Sequence, residues 1–112
     1  MIDLHTIHKT IRLYGSHGWR LRRFLFKGVD VQIEANELGD LLDGVAIRDS
    51  GINAACFSRD GQNGGAVWEL RYLGEPAYAL LENLAEEDPD FESRLFRLKR
   101  QLTEAVTLKK SA

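Results

Sequence analysis

Three histidines, one basic aromatic stretch and one cysteine are the groups in this chain with chemistry to offer. His5 and His8 lie three apart, so on a helix they share a face, and His17 follows shortly after. Together they are the candidate metal ligands. No carboxylate or cysteine stands near them at a recognised ligand spacing, and solvated or packing histidines explain the pattern more simply.

Residues 19–27 read WRLRRFLFK. Guanidinium groups beside aromatic rings can stack bases and meet phosphates. The order lacks the glycine between aromatics of an RNA-recognition strand. The same residues also suit an edge strand, where Arg and Lys discourage edge-to-edge pairing. Trp19, Arg20, Arg22, Arg23 and Lys27 are therefore candidate partner-binding residues. Arg94, Arg97 and Arg100, from a second basic stretch, join them.

The remaining clusters read as structure. Residues 86–90 (EEDPD) lack the spacing of a calcium loop and suit a capped turn before a helix. Residues 61–65 (GQNGG) lack the Lys-Ser/Thr of a phosphate-binding loop and join strand to strand. Cys56 is the only cysteine, set among small apolar residues, which reads as a buried hydrophobe. No Ser, Thr or Cys has a base at a recognisable offset, so neither an enzyme activity nor a cofactor is expected.

The net charge of −2 hides a segregation. Residues 1–29 hold six cations against one carboxylate, residues 30–93 three against fifteen, and residues 94–112 six against one. If the two basic ends lie together, the domain has one positive and one negative surface. The N-terminus lacks the basic-then-apolar order of a signal peptide, and no apolar run approaches the roughly 20 residues of a membrane span. The expectation is a cytoplasmic protein with no membrane partner.

These groups must be held by elements whose periodicity is readable. Leu4, Ile7, Ile11 and Tyr14 recur at helical spacing after Asp3, with Gly15 as the expected stop. Residues 19–27 form an expected strand, with Trp19, Leu21, Arg23 and Leu25 on one face and Arg20, Arg22, Phe24 and Phe26 on the other. Val31, Ile33 and Ala35 would complete a hairpin, and Glu37 to Leu42 a short helix. Residues 45–48, 52–58 and 66–73 read as a three-strand meander; Ala66, Trp68, Leu70 and Tyr72 alternate most cleanly. After Pro76, Ala77, Leu80, Leu81 and Leu84 fit a helix, and Phe91, Leu95, Leu98, Leu102 and Ala105 fit a second one.

The expected fold is a single α+β domain over residues 1–112, with 109–112 frayed. It has an antiparallel sheet of about five strands, hairpin plus meander. The N-terminal helix and two C-terminal helices pack on one face. The expected core includes Ile7, Leu25, Ile47, Cys56, Trp68, Leu70, Leu84, Leu95 and Leu102.

The expected function is a small non-enzymatic protein-interaction domain, an adaptor, chaperone-like or regulatory binder of another protein and of itself as a homodimer. Nucleic-acid binding through 19–27 and the basic C-terminal helix is the alternative. A metal-binding protein built on the three histidines is the third reading.

Overall fold

The computed structural model describes residues 4–27, 45–61, 65–75 and 77–111. The Asp3 cap, the strand at 31–35, the short helix at 37–42, Pro76 and the turn tip at 62–64 lie outside them. Along the chain run α1 (Leu4–Ser16), β1 (Arg20–Phe26), β2 (Ala46–Asp49), β3 (Ala54–Asp60), β4 (Ala66–Tyr72), β5 (Ala79–Asn83) and α2 (Phe91–Ser111).

The sheet order is β2-β1-β3-β4-β5. The fold is α+β, but the sheet is mixed rather than purely antiparallel: β1 and β2 run parallel, and the other pairs antiparallel. The meander expected at 45–73 is therefore displaced by one strand. β3, β4 and β5 form it, while β1 lies between β2 and β3. The short link from β2 to β3 crosses the end of β1, where Ser50 N–H donates to Phe26 O at 2.7 Å and Lys27 N–H to Asn53 Oδ1 at 2.7 Å. Asp49-Ser50-Gly51 reads as a hairpin turn, but here it arches over a strand end that offers it backbone partners.

The helix expected after Pro76 is instead strand β5. Its short apolar run fits either period, and length cannot arbitrate. The open edge of β4 decides it. Tyr72 N–H donates to Tyr78 O at 2.8 Å, Leu84 N–H donates to Ala66 O at 3.0 Å, and the ladder between them satisfies both backbones. One C-terminal helix remains, α2.

The helices lie on opposite faces of the sheet, not on one. Trp68, Leu70, Cys56 and Leu25 pack under Phe91, Leu95, Leu98, Leu102 and Val106 of α2. Phe24 and Phe26 pack under Ile7 and Ile11 of α1. Tyr14 stacks on Phe57 with ring centres 4.0 Å apart. β3 is consequently buried on both sides from Ala54 to Ser58. Ile47, expected in the core, is 52% exposed on edge strand β2.

The stop of α1 is also shifted. Gly15 lies within the helix, and Gly18 takes the left-handed conformation at φ 85°. Trp19 N–H donates to Tyr14 O at 3.0 Å and Gly18 N–H to Gly15 O at 3.1 Å, the paired bonds of a Schellman cap. The ring of Trp19 meets that of Tyr14 edge-on at 6.1 Å, the apolar contact that accompanies such caps. Gly18→Ala is expected to lower stability by about 1–2 kcal/mol, the cost of a Cβ in this region. Gly15→Ala, whose Cβ would meet nothing within 4 Å, is expected to be stabilising by up to about 1 kcal/mol. Urea unfolding of the two variants checks the contrast; equal effects would mean that the stop is not at Gly18.

Candidate interaction surface

The basic strand does not alternate as its sequence implies. β1 pairs with β3 through Leu21↔Phe57 and then Arg23↔Cys56, so Arg22 is an extra residue. A bulge of this kind sends two consecutive side chains to one face. Arg22 and Arg23 both project toward α2, while Phe24 and Phe26 turn to α1. The Arg22 guanidinium stands 5.1 Å from the centre of the Trp68 ring, and that of Arg23 5.6 Å from the Phe91 ring.

Each arginine then meets a carboxylate. Arg22 Nη2 donates to both oxygens of Glu86, at 2.8 and 3.0 Å, and Nη1 donates to Ser58 Oγ at 3.2 Å. Arg23 grips Glu92 in a fork, Nη1 to Oε2 at 3.1 Å and Nη2 to Oε1. That contact holds the Glu92 carboxyl below its ordinary range and raises the Arg23 guanidinium further. Arg94 reaches back to Glu82 at 3.3 Å, Asp88 at 3.5 Å and the Asn83 carbonyl at 3.3 Å. The i,i+4 partner that its sequence offers, Asp90, instead accepts the Arg94 N–H at its backbone oxygen at 2.9 Å. Asp88 accepts the Asp90 N–H at 2.9 Å, closing the turn that launches α2.

The eight basic and aromatic candidates thus fall in separate places. Arg22, Arg23 and Arg94 converge on the acidic residues 82–92. Arg97 and Arg100 are exposed on α2, Arg100 beside Glu104 at 3.8 Å. Trp19 is half-buried at the α1 cap, with the Arg59 guanidinium 4.8 Å from its ring. Arg20 and Lys27 are exposed at the two ends of β1. Of the histidines, His5 and His17 are exposed and His8 half-buried. Among the described residues, no group of three or more His, Cys, Asp or Glu side chains could hold a metal ion.

Beside Arg23 opens a groove of about 610 Å³ between α2 and the β1–β2 half of the sheet. Leu25, Cys56, Leu70 and Leu95 form its apolar floor, and Phe96 forms a wall. Its rim carries Arg23, Arg48 and Lys99 against Asp49 and Glu92. Phe96 is 55% exposed, with Lys99 Nζ 4.9 Å from its ring. Burial pushes the Cys56 thiol up to about 12, against the opposing pull of Arg23 and Lys99. The sulfur is therefore a neutral part of the floor. Phe96, Arg48 and Lys99 escape the motif-based reading. Phe96 does carry a signal, being an aromatic off the buried Phe91-Leu95-Leu98-Leu102 stripe.

None of the described helices is long and apolar enough to cross a membrane. Comparison of the chain with protein-family models, with curated proteins and with solved structures finds no match.

Two solution measurements bear on this surface. The Cys56 thiol is expected to resist a disulfide-exchange reagent at pH 8 in the native protein and to react fully once denatured; fast native reaction would contradict the burial. The Glu92 carboxyl lies below its ordinary 4.5 in the folded chain. Its contribution is therefore present above that pH and lost as pH falls through the folded value. Glu92→Gln should lower stability at pH 7 by about 0.2–1 kcal/mol, as for other exposed pairs. In unfolding titrations, that gap should close on acidification.

Proposed function

We propose that the protein is a non-enzymatic, cytoplasmic protein-interaction domain that acts as a homodimer and engages its partner through the groove beside Arg23. The observation that carries this reading is the groove itself. Its floor is apolar, an aromatic ring stands exposed at its wall, and its rim has three cations against two carboxylates. Such a site rewards an apolar side chain with a carboxylate nearby. The one sulfur in it is held as a thiol, which favours binding over covalent chemistry.

The test places a photo-crosslinking residue at position 96 and, as a control, at the exposed Leu13 on α1. A partner should be captured from position 96 and not from 13. Phe96→Ala should then cost more than about 1 kcal/mol of affinity, as truncated aromatic anchors do. Lys99→Glu should slow association and flatten its dependence on salt. Binding indifferent to both variants would overturn the reading.

Nucleic-acid binding is favoured by a separate observation, the exposed Arg97 and Arg100 with the half-buried Lys99 between them on α2. Phosphates at Arg22, Arg23 or Arg94 would have to displace carboxylates. Titration with single-stranded and duplex oligonucleotides at low salt distinguishes this reading. Phosphate binding must appear there and weaken steeply as salt rises.

A further inference from the structure

The free edge of β5 carries a pattern that matches itself. In the β4–β5 ladder the closely bonded pairs are 66/84, 68/82, 70/80 and 72/78, fixed by Leu84 N–H to Ala66 O and Tyr72 N–H to Tyr78 O. In antiparallel pairs, bonded and non-bonded residues alternate. The N–H and C=O groups of Ala79, Leu81 and Asn83 therefore point away from β4. Among the described residues β5 is the last strand on that side. On that row Arg94 Nη2 donates to the Asn83 carbonyl at 3.3 Å.

We infer that two copies of the chain pair antiparallel along β5, around a two-fold axis at Leu81, to give one sheet continuous through both copies. This rests on the homodimer reading above and names its interface. Pairing centred on Leu81 sets it against its own copy, Ala79 against Asn83, and Leu80 against Glu82. No like charges face each other, and Glu82 already has Arg94 at 3.3 Å. Leu81 is 58% exposed on the α1 side of the sheet, so two such side chains would cover one another. Two-fold interfaces need a self-complementary patch, and this strand is one. An acidic or basic strand from an unrelated protein would find no opposite charge on the row 79-81-83. The axis stands normal to the sheet, so both α2 helices lie on one face. The two grooves, which sit on the β1–β2 half of each copy, are then at the outer ends of the assembly.

The experiment combines light scattering after size exclusion with cysteine trapping. Wild-type protein should run as a dimer, and Leu81→Lys as a folded monomer with an unchanged circular dichroism spectrum. Leu81→Cys should form an intermolecular disulfide under mild oxidation while Leu13→Cys does not, the buried Cys56 staying unreacted in both. A wild-type chain that stays monomeric at high concentration would remove the homodimer reading and this interface with it. A dimer that survives Leu81→Lys and does not trap at position 81 would overturn the β5 interface alone. A monomer whose binding to a different protein is lost in Leu81→Lys would show that the edge serves another chain, and would equally overturn the inference.

Discussion

The bulge at Arg22 is the constraint on which the rest of the fold turns. Strict alternation through β1 would place Phe24 and Phe26 on the same face as Arg22. The extra residue breaks that link between Leu21 and Arg23. Beyond it the two phenylalanines reach α1, Leu25 reaches α2, and both guanidinium groups emerge on the α2 side. A sheet covered by helices on both faces needs apolar residues on both faces of its inner strands. β3 supplies them, Ala54 and Cys56 toward α2 and Phe57 toward Tyr14 of α1. β1 can supply them beside its arginines only because the bulge separates the two sets.

The bulge also explains where the segregated charge goes. The basic N-terminal block and the basic start of α2 are in part neutralised where they meet. Arg22, Arg23 and Arg94 are drawn to one acidic stretch, from Glu82 to Glu92, which joins β5 to α2. Each exposed pair is worth little singly. The arginines have a second hold, because Arg22 lies over Trp68 and Arg23 over Phe91. Trp68 and Phe91 in turn touch edge to face, with centres 5.1 Å apart. The first turn of α2 is thereby fixed by its apolar residue, its acidic residue and its entry turn together. Glu92 in that turn also suits the positive end of the helix dipole.

What could be read from the sequence follows from how local each cause is. The α2 stripe Phe91-Leu95-Leu98-Leu102 and the alternation of Trp68 and Leu70 are local periods, and both lie buried where the pattern puts them; the stripe's last expected member, Ala105, is half-buried, and Val106 takes the core position instead. The turn at 86–90 is local too, since Asp88 and Asp90 meet their partners within a few residues. The face chosen by α1 is not local. It depends on Phe24 and Phe26, whose direction depends on a bulge that no pattern in WRLRRFLFK announces. The strand at Ala79–Asn83 depends on the open edge of β4, a partner supplied from elsewhere in the chain. The insertion of β1 between β2 and β3 likewise hangs on bonds at Ser50 and Asn53 that cross from one element to another. Arg22 and Arg23 stand out as candidates from sequence, but their carboxylate partners are 64 and 69 residues away.

The two helices are offset as well as opposed, and this is what leaves surfaces free. α1 lies against β1, whereas α2 lies across β4 and β5. Among the described residues, α2 packs mainly over β4 and β5 but reaches Leu25 and Cys56, and α1 packs mainly on β1 while its Tyr14 reaches Phe57 and Arg71. On the α2 side the groove opens toward β1–β2, with its floor at Leu25 and Cys56. On the α1 side Leu81 of β5 stands exposed beside Glu69, its partner across the ladder. The groove is not a packing failure. α2 has 21 residues, roughly 31 Å of helix. Its stripe at Phe91, Leu95, Leu98, Leu102 and Val106 is matched to Trp68 and Leu70 and holds it there. The same matching that anchors α2 over the β4 side therefore opens the groove on the β1 side. A residue that shifted the helix toward β1 would close the groove by filling it.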